Sequence, residues 1–196
     1  LSGWDTRFAL DSTQTSLAVF WGEALMSEAR PLAAAANEDI YDYLASQITD
    51  EQRIAALENA MATLNDGFGS WQVPWGEINR YQRNDGAIVQ QFDDSKPSLP
   101  VAFASARWGS LASFGSRSYP GTNRLYGTSG NSFVAAVEFG EKVRAKAVTV
   151  GGLSNDPASP HFDDQAALYT EGRFRDVLFY PEQVEANLER EYHPGE

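Results

Sequence analysis

Leu17, Phe20, Trp21 and Leu25 recur at three- and four-residue spacings, one face of a helix. Asp11 and Ser12 stand before it as N-cap residues, and Pro31 is expected to close it. The alanine run 33–36 and Asn37 lead into a shorter helix with Ile40, Tyr41 and Leu44 on one side. Thr49 and Gln52 then have capping-box spacing. Ile54, Leu57, Met61 and Leu64 form the apolar stripe of the helix that follows, and Asn65-Asp66-Gly67 is expected to end it. From Phe68 to about Gly130 no period holds. Gly, Pro, Ser, Asn and Asp recur every few residues among aromatic side chains, and 100–106 has room for one short strand. A loop region of that length inside a compact domain either wraps a partner layer or lines a cleft.

The last third changes character. Ser132–Phe139 and Ala147–Val150 are apolar runs with Gly140-Glu141-Lys142 between them, close to hairpin length. Period-two alternation puts Phe133, Ala135, Val137 and Phe139 on one face, Val134 and Ala136 on the other, and Val148 with Val150 on one face of the neighbour. A buried antiparallel sheet, covered on both faces, is the expectation. A turn-rich stretch follows. Ser159 and Pro160 read as N-cap and N1 of a helix with Asp163 and Asp164 in its first turn, ended by Gly172. Pro181 opens a last helix through Leu188. The fold class is therefore α+β. Residues 1–67 are mainly helical, 68–130 irregular and aromatic-rich, and 131–196 strand-strand-helix-helix, all read as one piece, 1–196.

Composition narrows the chemistry. The 196 residues are 42% hydrophobic and 12% aromatic, enough for a real core and not a disordered tail. No apolar run approaches the roughly 18 residues of a membrane span. Cysteine is absent, which excludes disulfides, thiolate zinc sites and cysteine nucleophiles. Two histidines are too few for a multi-histidine metal site. The formal net charge is −12. With a pI near 4.5, phosphate backbones and anionic membrane surfaces are repelled, so neither nucleic acid nor membrane is an expected partner. The opening Leu-Ser-Gly-Trp-Asp reads like the interior of a longer protein, and the chain is expected to be a fragment.

Each chemical constellation has a plainer reading beside it. His161 and Asp164 share a helical face at i, i+3 and suggest a metal site or a Ser-His-Asp triad, yet the same residues serve as a charged first turn. The triad also lacks a Gly-x-Ser-x-Gly elbow. Asp93-Asp94 and Glu182/Glu185 could pair for glycoside hydrolysis, but 27 acidic residues make chance pairs common. Gly127–Asn131 loosely resembles a phosphate-cradling loop, without the lysine and ahead of a strand instead of a helix. Five tryptophans could stack a ligand, or simply pack.

The stretches GTSGNSFVAAVEFG and GGLSNDPASPHFDDQAALYTEGRFRDVLFYPEQVEAN change this picture. Gly-x-Ser-Gly-Asn precedes an apolar strand. Then come a second strand, Gly-Gly-x-Ser, Asp-Pro-x-Ser-Pro-His, an acidic Asp-Gln helix start, Arg-x-Val-x-Phe and a closing helix. This pattern resembles the carboxy-terminal end of the penicillin acylase (penicillin amidase) family. ALENAMATLNDGFGSWQVPWGEINRYQR and the initial Leu-x-x-Trp-Asp also look like this family, so the resemblance covers most of the chain. It implies an N-terminal-nucleophile hydrolase, a four-layer αββα sandwich. Such proteins are made as a precursor, exported to the periplasm or beyond, that cuts itself into α and β chains. The new N-terminal Ser attacks an amide, with its own α-amine, titrating near ~7.7–8, as base.

Leu1 has no heteroatom and cannot be that nucleophile. The resemblance therefore implies the carboxy-terminal part of a β subunit. Nucleophile, oxyanion donors and the family's structural calcium ligands are expected upstream, and no catalytic, cofactor or metal residue is assigned in this chain. Its expected partners are the remainder of the β chain, the α chain and a small amide substrate carrying the acyl group of a β-lactam, homoserine lactone or lipopeptide. Alone it is expected to be inactive and prone to self-association. A non-enzymatic ligand-binding or assembly domain on the same fold is the alternative, and an independent hydrolase built on His161 a third reading.

Overall fold

In a computed structural model the described residues are 1, 3–84, 89–193 and 195. They form two compact units, Leu1–Asn131 and Ser132–Glu196, and the fold is mixed α+β.

In the first unit, α1 (Thr13–Ala36) starts where the Ser12 hydroxyl accepts the Thr15 N–H at 3.0 Å. It does not stop at Pro31. The helix runs through the proline to Asn37, which caps it in the left-handed conformation. Ser27, whose carbonyl loses its bond to the missing N–H, is exposed, so water can satisfy it, and the alanine run keeps the helix going. Met26, Ala29 and Ala33 are its buried face there. α2 (Ile40–Ser46) is capped by Asp39.

α3 (Asp50–Phe68) has the expected reciprocal box. The Gln52 N–H donates to the Thr49 hydroxyl at 3.2 Å and the Thr49 N–H to the Gln52 side-chain Oε1 at 2.9 Å. Its end lies further on, at Gly69, whose N–H reaches the Asn65 carbonyl at 2.8 Å. Of the expected stripe, Leu64 is buried and Leu57 and Met61 pack against the core, but Ile54 is 57% exposed and Ala56 and Ala60 are buried instead. The small residues let α3 approach α1 closely, where the Trp21 indole donates to the Arg53 carbonyl at 2.9 Å.

The irregular middle carries a four-stranded sheet. α4 (Trp75–Ile78) runs straight into β1 (Asn79–Tyr81), and β2 (Leu99–Pro100), β3 (Phe114–Arg117) and β4 (Leu125–Gly130) complete the order β2-β1-β4-β3. β1 and β4 are parallel and the other pairs antiparallel. Strands of two to six residues are too short to write a period into the sequence. The short strand expected within 100–106 is the two-residue β2, one step earlier. Leu17, Val19, Ala60, Leu64, Val73, Trp75, Ile78 and Ala104 form the core.

In the second unit β5 (Phe133–Glu138) and β6 (Arg144–Thr149) are the expected antiparallel hairpin, in the register Phe133↔Thr149 to Glu138↔Arg144. β7 (Arg175–Asp176) flanks β6. The expectation of cover on both faces fails within this chain. Phe133 is 58%, Val137 48% and Phe139 85% exposed, whereas Ala147 and Val148 on β6 are buried. β5 is an edge strand, and α5 (Ala166–Thr170) packs on β6.

The helix expected from Ser159 is confined to α5. Residues 151–165 instead fold back on themselves. The Gln165 N–H donates to the Gly151 carbonyl at 2.7 Å and the Ser154 N–H to the His161 carbonyl at 3.0 Å. These bonds claim groups a longer helix would have used. The return is tight: a Cβ on Gly152 would stand 2.8 Å from the Phe162 carbonyl carbon, so a side chain there collides with backbone. α6 (Pro181–Ala186) has its proline at N1 and ends at Ala186, two residues before the expected Leu188, with Asn187 as its C-cap.

Candidate functional site

Several buried polar groups in the first unit are made by the short elements of its middle. Asn79 opens β1 directly after α4 and is wholly buried. Its amide donates to the carbonyls of Val101 and Phe103, both at 2.8 Å, and its oxygen accepts from the Ser116 hydroxyl at 2.6 Å. Arg80 fixes Ser98 through its Nε at 3.0 Å and the Gly76 carbonyl through Nη1 at 2.8 Å. Burial, and secondarily the nearby Arg124, draws its pKa below the ordinary arginine value. Gln82 imitates a strand partner. Its amide accepts the Asp93 N–H at 3.0 Å and donates to the Asp93 carbonyl at 2.9 Å.

A cleft of about 750 Å³ opens between α1, α3 and the β3–β4 pair. Phe20, Trp108 and Leu125 give it apolar walls, and Asn59, Arg117 and Ser129 polar ones. The Trp108 ring lies on Gly22 of α1, where a Cβ would come within 2.6 Å of it. Glu23 pins that wall by accepting the Trp108 indole N–H at 3.1 Å and pairing with Arg107 at 3.1 Å. Ser116, another lining hydroxyl, spends its proton on Asn79. The arrangement can bind and shape a surface, and its hydrogen bonds tie the wall together instead of arming a nucleophile.

The candidates raised by the sequence fall apart as chemistry. Asp93 and Asp94 take separate structural tasks. Asp93 accepts from the Ser95 hydroxyl at 2.7 Å and the Ser95 N–H at 2.8 Å, which hold its carboxyl below the usual range. Asp94 accepts from the Tyr126 hydroxyl at 2.8 Å and the Asn123 N–H at 2.7 Å. Burial, reinforced by that carboxylate, pushes the Tyr126 phenol up to about 12, so it stays a donor at working pH. A glycosidase acid needs a raised carboxyl, the opposite of Asp93. Glu182 fails likewise. Its own backbone N–H in the first turn of α6, then Lys142 at 3.3 Å, lower its pKa. Gly127–Asn131 is no phosphate loop, because Leu125–Gly130 is strand β4. The tryptophans build no stacking platform. Trp75 is core and only backs the cleft, Trp4 and Trp21 donate to backbone carbonyls, Trp71 packs against the core, and Trp108 lines the cleft with its ring spread on Gly22.

His161 does meet Asp164, Nδ1 to Oδ2 at 2.9 Å, but its other nitrogen, Nε2, meets Glu189 Oε2 at 2.9 Å. Hydrogen bonding to Asp164, then to Glu189, raises its pKa above the ordinary 6.5. In this arrangement both nitrogens meet carboxylates, and neither meets a serine hydroxyl. Among the described residues no group of three or more His, Asp or Glu is placed to hold a metal ion. Asn79, Gln82, Tyr126 and Gln165 went unnoticed as chemistry in the sequence, where a lone polar residue beside a two- or three-residue strand carries no periodic signal.

Across residues 1–186 the sequence matches the penicillin amidase family. The chain belongs to that family. Penicillin amidase membership makes it part of an acylase-like amide hydrolase, and the mixed α+β units fit a portion of an N-terminal-nucleophile hydrolase fold. The match takes in both units, including the cleft, β5–β6 and the 151–165 loop, and ends within α6.

Proposed function

We propose that this chain is the carboxy-terminal part of the β subunit of an enzyme that hydrolyses a linear amide, releasing the acyl group from a β-lactam, an acyl-homoserine lactone or a lipopeptide. The observation that carries the reading is the family match over residues 1–186. It is supported by the way His161, Asp93, Asp94 and Glu182 are committed to structural bonds. In this reading the nucleophilic Ser and the α-amine that takes its proton belong to another part of the parent protein. So do the oxyanion donors and the structural calcium. The parent is an exported, self-cleaving precursor acting in the periplasm or outside the cell. The chain supplies strands and helices to the αββα sandwich, against the remainder of the β chain and the α chain.

The test compares the chain purified alone with the chain co-produced with the rest of its parent. Phenylacetyl, acyl-homoserine lactone and lipopeptide amides are the substrates. The expected result is turnover of at least one amide by the assembled protein and none by the chain. Turnover by the chain alone that survives His161→Ala overturns the reading. Turnover lost with that substitution promotes the imidazole triad instead.

The bare edge of β5 gives a companion expectation. Exposed strand edges and apolar patches template association, and Phe133, Val137 and Phe139 are such a patch. Produced alone at micromolar concentration, the chain is expected to sediment as a self-associated species and to bind a dye specific for apolar surface. In the assembled parent both signals should disappear. A monomeric, dye-free chain would move weight to a self-sufficient binding domain.

A further inference from the structure

His161 is held between two carboxylates on opposite sides of its ring, Asp164 at Nδ1 and Glu189 at Nε2, both at 2.9 Å. Asp164 is three residues away in the same turn. Glu189 is 28 residues away, in the segment that follows α6. Only an imidazolium has two N–H donors. The neutral ring has one, so its second nitrogen would turn a lone pair onto a carboxylate oxygen at hydrogen-bond distance. One of the two contacts must then open.

We propose that His161 is a pH-operated clasp: as imidazolium it fastens the segment 187–193 to the 159–164 turn, and as neutral imidazole it keeps Asp164 and releases Glu189.

The choice of which contact opens follows from the chain. The backbone of the turn delivers Asp164 to His161, with the His161 N–H on the Ser159 hydroxyl at 3.2 Å and the Phe162 N–H on the Ser159 carbonyl at 3.1 Å. Glu189 is more exposed than Asp164 and is carried on a segment without regular structure. The groups facing the ring are these two carboxylates, one from each element packed against it. Asp156, in the same loop, is turned away to the Ala158 N–H at 2.9 Å. The shift of His161 is upward, so the clasp is complete below the ordinary value of 6.5 and is lost as pH rises through the higher folded value. This inference does not depend on the acylase reading.

Arg190 lies next to Glu189 and offers a trypsin site inside the clasped segment. The chain and its Glu189→Gln variant are nicked side by side at pH values from about 6 to about 9, which removes the protease's own pH dependence. At the acid end the unsubstituted chain is expected to be cut about two- to fivefold more slowly than the variant, the range of an exposed ion pair. At the alkaline end the two rates should coincide. In parallel, ring-labelled histidine is followed by NMR. There are two histidines, and His161→Gln assigns the resonance of His161. That resonance should titrate above 6.5 and move down in Glu189→Gln. Equal nicking rates at every pH would overturn the proposal, as would a His161 titration indifferent to Glu189→Gln.

Discussion

Replacing Trp75 with alanine is expected to lower the stability of residues 1–131 by about 3–5 kcal/mol, the range for truncating a buried aromatic. Trp75 is 1% exposed and belongs to the core cluster with Leu17, Leu64, Val73 and Ile78. Its indole N–H donates to the Ala102 carbonyl at 3.1 Å, and its backbone N–H to the Ser12 carbonyl at 3.1 Å. The substitution therefore opens a cavity and strands an acceptor while keeping the backbone bond. Trp75→Phe separates the two effects. It keeps most of the volume, loses the N–H, and should cost about 1–2 kcal/mol. Urea unfolding followed by tryptophan fluorescence measures this directly. All five tryptophans lie before residue 132, so the signal reports the first unit, and four remain after the change. An m-value of about 2 kcal/mol per molar urea turns the alanine effect into a midpoint shift of roughly 2 M. A shift below about 0.5 M would mean that the core collapses around the loss.

What the sequence made legible is what is local. The Thr49–Gln52 box and the Ser12 cap are decided by residues within one turn, and both are present. Pro31 misled because a proline costs a helix only what its surroundings fail to offset, and here the freed carbonyl is exposed. Ile54 misled, alone of its stripe, because the α1–α3 contact takes the close-packing Ala56 and Ala60 in its place beside Leu57, Met61 and Leu64. The hairpin was visible in its alternation, but its cover was not. Alternation shows that two faces differ or agree, never what lies beyond them. The site divides in the same way. His161 and Asp164 could be paired by their spacing, whereas Glu189 is brought in by tertiary folding across 28 residues. The motif Gly-Gly-x-Ser…Ser-Pro-His could be recognised before its physical cause. In the structure the cause is steric, a loop that closes on Gly152 and leaves no space for a side chain.

Asn79→Leu is expected to destabilise the first unit by about 3–5 kcal/mol, although it is close in size and more apolar. The burial that would normally favour leucine works against it here, because three partners depend on the amide. The Val101 and Phe103 carbonyls each lose a donor at 2.8 Å, and the Ser116 hydroxyl loses an acceptor at 2.6 Å. Each buried group left without a partner costs about 1–3 kcal/mol. Val101 is wholly buried, which leaves water no easy route to its carbonyl. Asn79→Asp tests the hydrogen-bond account without changing shape. It keeps an acceptor for Ser116 but points a carboxylate at two carbonyl oxygens. At neutral pH it should be at least as damaging as leucine. Burial and the two carbonyls raise the folded-state pKa of the introduced carboxyl above its unfolded value near ~3.9, so this variant should gain stability relative to Asn79→Leu as pH falls toward 5. Urea midpoints for both variants across that range decide the matter. If Asn79→Asp follows Asn79→Leu at every pH, the loss comes from packing around β1. If it recovers on acidification, the buried amide joins the start of β1 to the 101–103 segment and to β3.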